Sequence, residues 1–196
     1  MAKTKTRHAV SGHKMAKRVA RRCEDILCAG FGGQGIMFMG KLMAQAGLIM
    51  GKHVTWMPSY GAEVRGGTAY SMTKISDDEI ANPIIASPDM LIVMNAPSLV
   101  KYEGKLREGG VLISNRSLVG YPPKRKGVTI VNIPATEMAV KLGDPRCANM
   151  IAIGALTKRS KALSLKNVVM ALRNIFRNKE ELFLRNKKAL EAGYKF

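Results

Sequence analysis

Cysteine, histidine and aromatic residues are scarce in this chain of 196 residues, and each scarcity removes a class of chemistry. Cys23, Cys28 and Cys147 are odd in number and scattered, with no Cys-x-x-Cys pair. Neither a zinc site nor an iron–sulfur cluster can therefore be assembled from this sequence alone. Three thiols without a disulfide pattern fit a reducing compartment. His8, His13 and His53 are the only histidines, so a Ser-His-Asp triad would have to be built around His53. The ordinary reading, a histidine at a strand entrance, makes far smaller geometric demands. No apolar run reaches the roughly 18 residues of a membrane-spanning helix, and the basic N-terminus lacks the apolar core of a secretory signal. A cytoplasmic location is expected.

Acidic residues are missing from the first 22 positions, where Lys3, Lys5, Arg7, Lys14, Lys17, Arg18, Arg21 and Arg22 supply eight of the +18 net charges. That stretch is polar and has no periodic apolar face, so residues 1–23 are expected to form a basic, disordered tail ahead of a domain spanning 24–196. Such a tail can neutralise phosphates of RNA or DNA, or simply remain a solvated extension. The body has no aromatic-and-basic stripe of the kind that stacks bases. Nucleic acid is thus an unlikely partner, and a basic nucleotide- or RNA-binding protein without catalysis stays as the alternative reading.

What the chain does have is a glycine turn, Gly30-Phe31-Gly32-Gly33-Gln34-Gly35, between an expected strand (25–29) and an expected helix (36–50) that stops at Gly51. In a nicotinamide-dinucleotide binder an Asp or Glu stands about twenty residues beyond the turn, on the ribose hydroxyls. Here that place holds Val54, Thr55, Trp56 and Met57, and no carboxylate occurs before Glu63. A ligand other than NAD is expected. Backbone N–H groups of Gly32, Gly33 and Gly35, with the positive end of the following helix, can hold an anion. The same glycines also suit a tight strand-to-helix turn needed only for packing. Arg65-Gly66-Gly67 adds a forked donor beside two permissive residues, fit for phosphate or carboxylate unless Arg65 pairs with Glu63.

Strands and helices alternate beyond the turn. Strands are expected over 53–57, 67–75 (antiparallel or at an edge), 90–94, 111–115 and 128–133. Pro97 opens a short helix, Thr136 caps another that ends at Gly143-Asp144-Pro145, and small residues over 146–158 suit a closely packed one. Ser164 caps a helix over 165–177, and a last helix runs over 179–192 before Gly193. The fold class expected is α/β: a doubly wound, mainly parallel Rossmann-like sheet with an antiparallel strand and C-terminal helices. Ligands of such sheets lie at the carboxyl ends of the strands, where strand order reverses. Gly32 to Gly35, Ser59-Tyr60, Asn95 and Ser114-Asn115 are the polar groups expected there.

These residues resemble a known family. The glycine turn and the block Trp56-Met57-Pro58-Ser59-Tyr60-Gly61-Ala62-Glu63-Val64-Arg65-Gly66-Gly67-Thr68 are similar to the gamma subunit of 2-oxoacid:ferredoxin oxidoreductases. So are Pro83-Ile84, Pro88-Asp89 to Leu99, Gly109 to Leu118, Ile133 to Glu137 and Ala148-Asn149-Met150, in register from about residue 25 onward. The resemblance implies one chain of a multi-subunit enzyme with alpha, beta and ferredoxin-like delta partners. Thiamine diphosphate and [4Fe–4S] clusters lie on those partners, ferredoxin takes the electrons, and coenzyme A takes the acyl group. This chain would support coenzyme A binding and assembly, with no catalytic residue or metal ligand of its own. Carried over, the motifs put Gly32, Gly33, Gln34, Gly35, Ser59, Tyr60, Glu63, Arg65, Gly66 and Asn95 at the cofactor site. Tyr60 and Trp56 are equally suited to an interface core. Among substrates 2-oxoglutarate is expected first, with pyruvate and branched-chain 2-oxo acids next.

Deleting residues 1–22 is expected to leave fold and activity intact, because the tail offers no apolar periodicity to offset its ordering entropy. Circular dichroism and gel filtration of the truncated chain at low and high salt test this. Failure to fold or assemble even at high salt would move the domain boundary upstream.

Overall fold

The runs Ile26-Leu27-Cys28-Ala29 and Met90-Leu91-Ile92-Val93 are apolar at every position, which requires cover on both faces of a sheet. The structure, a computed structural model, describes residues 23–59 and 68–196. Its six strands are β1 (Cys23–Gly30), β2 (His53–Ser59), β3 (Ala69–Ser76), β4 (Met90–Val93), β5 (Val111–Asn115) and β6 (Thr129–Ile133). They form one sheet in the order β2-β3-β1-β4-β5-β6. β1, β4, β5 and β6 are parallel neighbours, whereas β3 runs antiparallel to both β1 and β2. The helices are α1 (Ile36–Ile49), α2 (Ala96–Tyr102), α3 (Arg116–Val119), α4 (Ala135–Lys141), α5 (Ala148–Thr157), α6 (Leu165–Ile175) and α7 (Glu180–Lys195).

Alternate residues of each central strand enter two different cores. Ile26, Cys28, Ile92 and Ile113 pack with Met39 and Met43 of α1 and with α5, α6 and α7. Leu27, Ala29, Leu91, Val93 and Leu112 pack with Leu99 and Tyr102 of α2, Leu106 and Val119. The expected doubly wound α/β architecture is therefore present, with helices on both faces. The α1 stop also agrees with expectation: Gly51 takes φ 71° and its N–H reaches the Leu48 carbonyl at 3.0 Å.

Two local expectations are corrected, at Thr136 and Gly193. β2 is the edge, and β3 is antiparallel, as its pattern allowed, and interior. Its residues Ser71, Thr73 and Ile75 are buried against α1, which comes so close that a Cβ on Gly40 would overlap Ser71 Oγ. Thr136 does not cap α4; Pro134 holds that place, and Thr136 Oγ1 accepts from Asn115 Nδ2 at 2.9 Å instead. Gly193 does not stop α7 but lies inside it. It is needed for close approach: a Cβ there would strike the Ile151 backbone, and a Cβ on Gly154 would strike the Leu190 carbonyl.

All ten residues of α5 are buried, so α5 and α7 cross backbone to backbone with no slack for a methyl group. Gly154→Ala is expected to destabilise the chain by about 1–3 kcal/mol through overpacking. Gly104→Ala, in open space, is expected to be neutral. Urea unfolding of the two variants makes the comparison.

Candidate functional site

β1 and β4 are neighbours whose following connections leave in opposite directions, β1 towards β2 beyond β3 and β4 towards β5. Strand order reverses between them, and the glycine turn sits at that point on the carboxyl edge. Gly33 and Gly35 have φ 89° and 74°, values that a side chain would strain. Gly35 is the N-cap of α1, which has no side-chain cap and no acid in its first turn. The first N–H groups of α1 are thus left to whatever lies in front of it. Gly32 and Gly33 are exposed, Gln34 and Gly35 half-buried.

Gln34 holds the turn in place. Its Oε1 accepts from the Phe31 N–H at 2.7 Å and from Asn95 Nδ2 at 3.3 Å, and its Nε2 donates to the Met94 carbonyl at 3.5 Å. Asn95, 1% exposed, uses its Oδ1 to cap α2 at the Ser98 N–H, 2.9 Å away. Asn115 Nδ2 reaches the Met94 carbonyl at 3.4 Å, and its Oδ1 accepts from the Thr136 N–H at 3.3 Å. The ends of β1, β4 and β5 and the start of α4 are joined by side-chain amides.

Of the residues expected at the site, the turn, Asn95 and Asn115 are brought together. Ser114 is buried. Ser59, half-buried, ends β2 two strands from β1, about 10 Å away at ordinary strand spacing. Tyr60, Glu63, Arg65 and Gly66 lie outside the described residues. Trp56 donates from Nε1 to Ser71 Oγ at 2.8 Å beneath α1. The insertion of β3 also explains the missing ribose carboxylate, since the end of β2 does not adjoin the turn.

One residue outside the expected set meets the turn. Asn149, at the start of α5 and 9% exposed, packs its Nδ2 where a Cβ on Gly35 would stand. Its Oδ1 accepts from the Met150 N–H at 2.8 Å. The signal in the sequence is one amide in a helix of otherwise apolar residues. Asn149 also lines a hollow of about 180 Å³ with Phe38, Asp144, Arg146, Cys147, Phe176, Leu182 and Asn186. Asp144 accepts from Arg146 Nε at 2.9 Å and from Arg185 Nη1 at 2.8 Å. Those two guanidiniums hold its carboxyl well below the usual carboxylate range. Burial, then the Asp144 charge, pushes the Cys147 thiol up.

A larger cavity, about 560 Å³, opens at the opposite edge of the sheet, among Glu24, Lys52, Asp77, Asp89, Arg107, Arg159 and Lys161. Lys52 pairs with Asp77, and Arg107 with Asp89. Glu24, raised by its burial, accepts from Ser160 Oγ and the Lys161 N–H. Neither the glycine turn nor the start of α1 faces this side, so size does not make it the better anion site. Among the described residues no group of three His, Cys, Asp or Glu side chains is placed to hold a metal, and no helix is long and apolar enough to cross a membrane.

Gln34→Leu is expected to leave the Phe31 N–H and Asn95 Nδ2 without their acceptor and to destabilise by about 1–3 kcal/mol. Hydrogen exchange should show faster opening at residues 31–36 than in β5. Equal protection in both proteins would show that the turn does not depend on this amide.

A model of the pyruvate ferredoxin/flavodoxin oxidoreductase family matches residues 25–196. The ketoisovalerate oxidoreductase subunit VorA of Methanothermobacter marburgensis is 36% identical over 166 residues, 84% of this chain and 34% of that protein. The chain therefore spans about a third of that relative's length. The 2-oxoglutarate synthase subunit KorC of Methanocaldococcus jannaschii is 33% identical over 186 residues, covering 92% of this chain and 97% of its own. Among solved structures, the gamma subunit of a keto/oxoacid ferredoxin oxidoreductase from Geobacter sulfurreducens superposes with a TM-score of 0.77 at 29% identity, over 88% of this chain and 96% of that one. With sequence and fold in agreement, the chain belongs to the pyruvate ferredoxin/flavodoxin oxidoreductase family.

Proposed function

We propose that this chain is the gamma subunit of a multi-subunit 2-oxoacid:ferredoxin oxidoreductase. The reaction converts a 2-oxo acid, coenzyme A and oxidised ferredoxin to acyl-CoA, carbon dioxide and reduced ferredoxin. Thiamine diphosphate on the alpha and beta partners supplies the decarboxylation, and [4Fe–4S] clusters on the partners carry electrons to ferredoxin. This chain supports assembly and coenzyme A binding. The observation that carries the reading is the glycine turn at the start of α1. Gly32 and Gly33 are exposed and α1 has no side-chain cap, while Gln34 and Asn95 are engaged with each other. A phosphate-rich ligand fits such a place. In this reading Gly32, Gly33 and Gly35 meet the ligand, Gln34 and Asn95 fix the turn, and Ser59, Tyr60, Glu63, Arg65 and Gly66 extend the site or its interface with a partner.

Relatives named for 2-oxoglutarate and for ketoisovalerate both resemble this chain; 2-oxoglutarate is proposed first. The test is co-purification with the partner subunits, followed by coenzyme A-dependent reduction of a low-potential dye with 2-oxoglutarate, pyruvate or ketoisovalerate. Arg65→Ala should raise the KM for coenzyme A by an amount equivalent to about 1.5–3 kcal/mol, leaving 2-oxo-acid decarboxylation little changed. Dissociation of the complex with an unchanged KM would make Arg65 an assembly residue. A salt-dependent nucleic-acid shift that survives deletion of residues 1–22, with no dye reduction, would overturn the proposal in favour of a binding protein.

A further inference from the structure

Between α3 and β6 the chain reads Tyr121-Pro122-Pro123-Lys124-Arg125-Lys126, three cations in succession after two prolines. A run of this kind ordinarily projects into solvent on a slack loop. In this chain it is fastened down. The Glu103 carboxylate, in the turn that follows α2, accepts from the Lys124 N–H and, at 2.6 Å, from the Arg125 N–H. Arg125 Nη2 donates to the Leu106 carbonyl at 3.0 Å. Glu103 is thus given to backbone amides, and the loop holds its cations on a fixed frame. The cations of α2 adjoin it: Lys101 and Lys105 Nζ lie 5.7 and 5.3 Å from the centre of the Tyr102 ring. Lys105, Lys124 and Lys126 are exposed. Beside them Val100 is 75% exposed, Leu118 47% and Tyr121 43%. α2 and α3, which carry the first two, pack together over the core of Leu99, Tyr102, Leu106 and Val119.

Charge and composition limit what this face meets. Fixed positive charges around a small apolar centre repel a basic surface and attract an acidic one. Nucleic acid also brings negative charge, but its bases need aromatic platforms, and Tyr121 is the one exposed ring on this face. A membrane surface calls for an amphipathic helix with a long apolar side, and α2 has seven residues. Permanent subunit interfaces are broad and apolar. Three apolar side chains among lysines match instead the small, charge-steered contacts of transient electron-transfer partners.

We propose that this face docks a small acidic protein transiently, and that this protein is the ferredoxin reduced by the enzyme proposed above. The inference rests on that reading. The chain then supplies a landing surface beside the partner subunits that hold the clusters.

The assembled enzyme is assayed with an acidic bacterial ferredoxin at low and high ionic strength, and with methyl viologen, a cationic dye that needs no basic docking face. Lys105→Glu combined with Lys126→Glu should raise the KM for ferredoxin roughly tenfold at low ionic strength, within the range of electrostatic steering. Methyl viologen reduction should be unchanged. At high ionic strength the difference in KM should vanish, because salt screens the attraction that the reversal destroys. Lys166→Glu combined with Lys188→Glu, an equal change of charge on α6 and α7, should leave the ferredoxin KM near that of the unmodified enzyme. An equal rise in that second pair would assign the effect to net charge and overturn the docking face. So would an unshifted KM in the first pair with normal dye reduction. Loss of this chain from the complex on gel filtration would overturn it too, by making the face a permanent subunit interface. Absence of dye reduction by the unmodified complex would overturn the proposed function, and the inference with it.

Discussion

A turn made largely of glycine has few side chains with which to hold itself, so its shape has to be imposed by a neighbour. In this chain the Gln34 amide imposes it, accepting from the Phe31 N–H inside the turn and from Asn95 outside it. Because Asn95 also caps α2, and Asn115 shares the Met94 carbonyl with Gln34, the carboxyl edge is one connected set of amides. The consequence for function is a division of labour. Side-chain polar groups are used to fix geometry, and backbone N–H groups at the start of α1 are what the edge presents. Amides fixed in advance lose little entropy when an anion arrives.

The antiparallel strand β3 has an effect beyond its own place. In a dinucleotide-binding sheet the second strand adjoins the first, and its end carries the acid that reads the ribose. With β3 inserted, β2 becomes the edge, and its last residue, Ser59, lies at the outer part of the carboxyl edge. A carboxylate at the end of β2 would not adjoin the glycine turn, and β2 itself carries none. The close approach of α1 at Gly40, with Thr73 Oγ1 donating to the Gly40 carbonyl at 3.2 Å, gives β3 its interior place.

The strands β1, β4 and β5 were legible because their apolar runs are continuous and bounded by glycine, proline or asparagine, and β3 because it alternates. The glycine turn and α1 were legible from spacing. Strand order was not, since periodicity reports burial and not neighbours; the interior position of β3 depends on which glycines of α1 face it. Gly193 reads locally as a helix stop, and only the crossing with α5 shows that it serves close approach. Thr136 reads as a cap, and tertiary demand from Asn115 claims its hydroxyl instead. Asn149 was visible as an amide among apolar residues, but nothing local says that Gly35, more than a hundred residues earlier, is its neighbour.

That long-range contact changes how the C-terminal third of the chain is understood. It contributes no strand and could be taken as padding for one face of the sheet. Yet α5 carries Asn149 to the turn, and α7 holds α5 through the Gly154 and Gly193 crossing. Arg185 of α7 also grips Asp144, just ahead of α5. Phe176, following α6, closes the hollow against Phe38. The front of the site is built by β1 and β4, and its outer wall by three helices far away in sequence. A displacement of α7 along α5 would therefore be felt at Gly35, because a helix buried at all ten positions has no soft side on which to absorb it.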